Sequence, residues 1–177
     1  MSREEFLERS LEAVTEKGHA KLRIHELVKQ LGVTRGSFYW HFKDRDEFVQ
    51  ALVEHYLRWS TDQVIVEVER VGGDAARRLK TVMQFVAEGS LGRYDNVMTS
   101  WGVQEPIVAK SFEIGIRRRI EFIRSFFVQL GFVGQELETR TLAFVGYMSL
   151  IHSGDDPEKR HEHLRHLDER HAVLTGK

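Results

Sequence analysis

Between Arg35 and Arg45 the sequence gathers side chains suited to holding a polyanion. Arg35, Lys43 and Arg45 are cationic, and Ser37, Tyr39, Trp40 and His41 add hydrogen-bond donors. A guanidinium fork matches the acceptor edge of guanine, whereas lysine, tyrosine, tryptophan and histidine reach phosphate oxygens. The surrounding segment is basic as well. From Lys17 to Arg45, seven basic residues (Lys17, Lys21, Arg23, Lys29, Arg35, Lys43 and Arg45) face only Glu26 and Asp44, a local net of +5. The first sixteen residues carry a net of −3, and the whole chain, with 26 basic and 27 acidic residues, carries −1. A basic patch hidden inside a near-neutral chain is the electrostatic footprint of a DNA reader; a plain solvated helix face is the competing reading.

Other chemistries find less support. The chain has no cysteine, which removes thiolate nucleophiles, thiolate metal sites and disulfides, and fits a reducing cytoplasm. A phosphate-binding glycine loop, a dinucleotide fingerprint, a zinc-protease helix and a serine-hydrolase elbow are all missing, so no enzyme is expected and no cofactor. His161, His163, His166 and His171 crowd the tail. Only His163 and His166 share a helical face at usable spacing, so no metal site is expected. Leu164, Leu167, His171 and Leu174 instead form a narrow stripe for docking on the domain. No run approaches 18 apolar residues, and Arg3, Glu4 and Glu5 interrupt any signal segment, so no membrane partner is expected.

The elements that position these residues are helices. Phe6, Leu7, Leu11 and Val14 space a first amphipathic helix that stops near Gly18, and Ile24, Leu27, Val28 and Leu31 a second that ends at Gly32. Thr34 caps a third at the amide of Ser37, running through His41, with Phe38 and Phe42 as core anchors. Asp44 and Glu47 form a capping box for a long fourth helix that persists to about Arg70 and stops at Gly72-Gly73. Further helices are expected around Leu79–Val86, over 91–103, from Pro106 to about Leu130, and over 135–152. No strand pattern is present. Two short helices joined by a glycine turn inside a three-helix unit describe a helix-turn-helix, or equally any corner between two helices.

The residue string from Leu31 to Lys43, L-G-V-T-R-G-S-F-Y-W-H-F-K, resembles the recognition segment of the TetR family of bacterial transcriptional regulators. The matching positions are Gly32, Val33, Thr34, Arg35, Gly36, Ser37, Phe38, Tyr39, His41 and Phe42. The resemblance is close over the first fifty-odd residues and beyond them extends only to helical length and order. It implies an all-α fold: an N-terminal helix-turn-helix head over 1–50, joined by a long helix to an effector-binding and dimerisation domain over 51–177. It implies base contacts at Arg35, Ser37 and Tyr39, with Gly36 allowing close backbone approach. Phosphate contacts are implied at Tyr39, Trp40, His41, Lys43 and Arg45, and Thr34 begins the same helix. Two departures stand out. Leu22 and Arg23 replace the usual hydroxyl pair before the second helix, so the cap is lost while Arg23 can still touch phosphate. Val28 replaces a small alanine.

For the larger domain the resemblance implies a homodimer on a palindromic double-stranded operator, cytoplasmic in a bacterium, acting as a repressor released by a small hydrophobic effector. A regulator without an effector, constitutive or controlled by a protein partner, is the alternative. The segment Ser100–Pro106 with Arg118, Arg119, Phe122, Phe126 and Phe132 resembles the effector domain of one subgroup. Ligand contacts are expected among Trp59, Phe85, Tyr94, Met98, Trp101, Phe122 and Tyr147, with Gln84, Glu88, Arg118, Arg119 and His152 as polar candidates. The helix from 106 to 130 is apolar on two faces, and one face (Ile116, Ile120, Ile123, Phe127) is expected at the dimer interface. Ala143, Gly146 and Leu150 of the next helix join it there, the small residues admitting a close helix approach.

Overall fold

The computed structural model describes residues 1–18, 23–89, 91–151 and 157–176, and these form helices and turns with no strand among them. Two packed units emerge. Unit 1 comprises Met1–Trp59 and Val97–Ile114, and unit 2 comprises Ser60–Asn96 and Gly115–Lys177.

In unit 1, α1 (Arg3–Lys17) starts under Ser2, whose hydroxyl accepts the Glu5 amide at 3.1 Å. Helix α2 (Ile24–Leu31) has Arg23 at its N-cap position and no side-chain cap, as the missing hydroxyl pair implies. Gly32 ends it at φ 68°, ψ 32°, a left-handed conformation that suits glycine and turns the chain tightly into the next helix. Helix α3 (Arg35–His41) is capped by Thr34 Oγ1, which accepts the Ser37 amide at 3.1 Å. Helix α4 (Arg45–Leu57) is capped by Asp44 Oδ1, which accepts the Glu47 amide at 2.9 Å. The Glu47 carboxylate reaches back one residue further than a capping box requires, accepting the Lys43 amide at 2.9 Å. The rings of Phe6, Phe38, Phe42 and Phe48 pack with centroids 5.0–5.9 Å apart, locking α1, α3 and α4 around one aromatic knot. Arg9 donates to the Leu31 carbonyl at 3.0 Å, tying α1 to the C-terminal end of α2.

His55 lies on the inner side of α4 and is 8% exposed. Burial and then the Arg58 guanidinium hold its imidazole below the ordinary value of about 6.5, with Glu8 and Glu4 opposing less strongly. The unfolded chain therefore takes up this proton more readily than the native one. The contribution is complete above about pH 6.5 and is lost as pH falls from there through the lower native value. His55→Gln should reduce the loss of denaturant midpoint between about pH 7.5 and 5.5 relative to the parent. Equal losses in both proteins would contradict a buried neutral imidazole.

The sequence reading expects one unbroken helix from Asp44 to about Arg70. The structure interrupts it with a π-helical turn, Arg58–Asp62, before α5 (Gln63–Val71). Widening the turn brings the buried Ser60 and Thr61 hydroxyls to one guanidinium within unit 2. In that unit, α6 (Ala75–Glu88), capped by Asp74, the Gly115–Gln129 part of α8 (Pro106–Gln129) and α9 (Gly134–Ile151) enclose a core of Leu79, Met83, Ile123, Phe126, Phe127 and Phe144. Helix α7 (Leu91–Gly102) precedes α8. The tail forms two helices, α10 (Pro157–Arg165) and α11 (Leu167–Thr175). Leu167 and Leu174 join the core, and His171 donates to the Ala76 carbonyl at 2.8 Å, so the tail stripe does dock.

Candidate nucleic-acid interface and ligand cavity

Helix α3 is only seven residues long because Phe42 leaves helical geometry, at φ −136° and ψ 129°, to enter the aromatic core. With Phe38 also buried, the opposite side of α3 is left to solvent. Trp40 is 85% exposed and Tyr39 48%, an unusual outlay of aromatic surface on so short an element. Arg35 and Gly36 are exposed beside them, Ser37 is half-buried, and Lys43 is exposed just beyond the helix. A Cβ on Gly36 would meet only Thr34 Oγ1, at an ordinary 3.5 Å, so nothing inside the chain demands glycine there. Arg23 is exposed at the head of α2.

Two of the expected contacts are already engaged. His41 Nε2 lies 3.2 Å from the Met1 carbonyl oxygen, and its ring tilts against Phe6, so α1 sets its orientation. Arg45 Nη2 lies 2.5 Å from Glu105 Oε2, and Nη1 is 3.6 Å from Asp46. A phosphate approaching Arg45 must compete with Glu105, a partner sixty residues away that no local pattern announces.

Unit 2 holds a cavity of about 60 Å³. Its apolar wall includes Val64, Ile65, Val82, Phe122, Phe144 and Met148. Its polar end is built on Arg119, whose Nη1 lies 2.8 and 2.7 Å from the two Asp95 carboxylate oxygens. The same guanidinium donates from Nε to Thr61 and from Nη2 to Ser60, each at 2.8 Å. Ser149 Oγ lies 3.4 Å from Asp95 Oδ2. Of the ligand contacts expected from the sequence, Phe122 and Arg119 line this cavity, and Ile123, expected at the dimer interface, lines it as well.

The other expected ligand contacts lie elsewhere. Trp59, Met98 and Trp101 belong to unit 1, with Trp59 edge-on to Tyr56. Tyr94 is buried with Arg93 over its ring, and Tyr147 bonds His163 at 3.2 Å. Burial raises the Tyr147 phenol above its ordinary value, with Arg170 opposing. Phe85, Gln84 and Glu88 line a separate groove on the outer side of α6. Arg118 pairs with Asp62 at 2.7 Å, and His152 lies outside the described residues. Sequence reasoning missed Ser60, Thr61, Asp95 and Ser149. The signal available was a pair of hydroxyls and a lone acid set in apolar helices.

The expected dimer stripe divides. Ile123 and Phe127 are core residues of a single chain, because they cluster with Leu79 and Met83 of α6 and with Phe144 of α9, whose ring lies 6.0 Å from that of Phe127. Ile116 and Ile120 are half-buried. Ala143 is exposed and Gly146 half-buried, while the Leu150 side chain lies outside the described residues. Beside them Leu142 is 57% exposed and Val128 is exposed on α8.

Residues 4–52 match the family model described as bacterial regulatory proteins, tetR family. The chain is 33% identical over 61 residues to the uncharacterized HTH-type transcriptional regulator YvdT of Bacillus subtilis, covering 34% of this chain and 31% of that protein. It is 36% identical over 53 residues to the HTH-type transcriptional regulator TtgR of Pseudomonas putida, covering 30% and 25%. The chain thus spans a third or less of the curated relatives it matches. At the level of fold, a transcriptional regulator from Rhodococcus sp. Rha1 superposes with a TM-score of 0.70 at 18% identity, covering 99% of this chain and 95% of that one. AibR, in its complex with isovaleryl coenzyme A and operator DNA, superposes with 0.77 at 15% identity, covering 98% of each chain. Among the described residues no helix is long and apolar enough to cross a membrane.

Proposed function

We propose that the chain, whose residues 4–52 match the family model of tetR-type bacterial regulatory proteins, is a homodimeric repressor that reads a palindromic operator with α3 and is released by a small effector. The observation that carries this reading is the solvent side of α3. A helix that keeps Phe38 and Phe42 inside while exposing Arg35, Tyr39 and Trp40 presents a surface its own chain does not use. On this reading Arg35, Ser37 and Tyr39 meet bases, Gly36 lets the backbone approach, and Thr34 holds the helix start. Tyr39, Trp40, His41, Lys43 and Arg23 meet phosphates. Arg45 joins them when a phosphate displaces Glu105. The effector site is the unit 2 cavity, and the AibR complex, with a ligand and operator DNA together, is the fold-level parallel for coupling the two.

Selection from a pool of random duplexes tests this directly. It should enrich a two-fold symmetric site with half-sites about one helical turn apart or a multiple of it. Recovery of no common site would contradict the reading. On the enriched duplex, Lys43→Ala should weaken binding about equally for matched and mismatched sequences. It should also reduce the slope of log affinity against log salt by about 1.8, one contact being lost from each of two subunits. An unchanged slope would remove Lys43 from the phosphate contacts.

A further inference from the structure

Resting on the reading of the unit 2 cavity as the effector site, we infer the chemical class it takes: a short neutral molecule with an apolar body and one hydroxyl or carbonyl oxygen. Among the described residues that line the cavity, Arg119 and Asp95 are the charged ones, and they face each other as an ion pair at 2.7 Å. Both charges are largely out of water, with side chains 16% and 8% exposed. A ligand carboxylate could reach Arg119 only beside the Asp95 carboxylate, and a ligand ammonium could reach Asp95 only beside the Arg119 guanidinium. Either arrival leaves one net charge among valine, isoleucine, phenylalanine and methionine side chains, where an uncompensated ion is strongly disfavoured. A neutral oxygen adds a hydrogen bond at Ser60, Thr61 or Ser149 and leaves the charge balance intact. The π-helical turn that presents two of these hydroxyls is a form of backbone concentrated at functional positions. The cavity of about 60 Å³ sets the size. At roughly 10–15 Å³ per ordered water on this kind of measure, it has room for a body of about four to six heavy atoms.

The test is calorimetric titration of the full chain with three four-carbon probes: butan-1-ol, butanoate and butylamine. Butan-1-ol should bind one site per chain at least about tenfold more tightly than either charged probe. Asp95→Asn removes the carboxylate that faces the guanidinium in the cavity, so butanoate should overtake the alcohol in that variant. Should the variant fail to fold, as read by circular dichroism, the three titrations of the parent decide alone. Butanoate or butylamine binding the parent as tightly as the alcohol, or more so, overturns the ligand class and leaves the effector reading standing. Val86→Phe, which fills the cavity, should abolish alcohol binding; undiminished binding would place the site elsewhere and overturn the inference. Failure of all three probes to bind overturns the cavity as an effector site, and the ligand class with it.

Discussion

Arg119→Met should cost about 3–5 kcal/mol of folding stability, the loss expected when one partner of a buried ion pair is removed. The Asp95 carboxylate then stays inside unit 2 without the guanidinium that neutralises it, and the Ser60 and Thr61 hydroxyls lose the donors that hold the π-helical turn. Against a typical total of about 5–15 kcal/mol, a loss of this size is a large fraction of native stability. The double variant Arg119→Met with Asp95→Leu should recover much of it, because removing both charges also removes their desolvation cost. Urea unfolding at neutral pH measures both. A single variant within about 1 kcal/mol of the parent would mean that the pair is solvated in solution, as exposed ion pairs are.

On the proposed homodimer, Gly146→Arg should yield a folded monomer. A Cβ at Gly146 would meet nothing within 4 Å in its own chain, although glycine inside a helix costs about 1 kcal/mol relative to alanine. With exposed Leu142, Ala143 and Val128 around it, the position fits a close approach by α9 of a second copy. The interface proposed here therefore uses this outer face of α9 with the exposed side of α8, and Ile123 and Phe127 support it from inside the core. An arginine projecting from Gly146 holds the helices apart. Losing the second head lowers operator affinity by about 10²–10⁴-fold, the usual gain from linking two binding modules. Light scattering should report the monomer's mass with helical circular dichroism retained. A variant that remains dimeric would place the interface elsewhere.

What the sequence made legible were the features governed by neighbours in the chain. The Thr34 and Asp44 caps, the Gly32 turn and the Phe38 and Phe42 core anchors follow from residues a few positions apart whose chemistry allows few alternatives. The exposed side of α3 follows from the same pattern. What remained hidden depends on distant partners. Arg45 meets Glu105, and Arg119 meets Asp95 and two hydroxyls turned inward by a π-helical insertion that leaves the apolar spacing of the long helix intact. The two apolar faces of α8 were visible, but which of them packs inside the chain is decided by α6 and α9. An aromatic-rich segment likewise reads as a pocket until the fold shows Trp101 and Met98 buried in unit 1 and Tyr94 buried in unit 2.

In the proposed function α3 reads bases, with Arg35 as the principal contact. The most direct measurement is the affinity of Arg35→Ala for the selected operator, for each single-base-pair variant of its half-site, and for a scrambled duplex. Binding to the operator should weaken by about 1–3 kcal/mol per half-site, discrimination should relax at one base pair, and affinity for scrambled DNA should fall far less. If Arg35→Ala separates operator from scrambled DNA as the parent does, with every base pair still discriminated, then α3 is not the recognition helix.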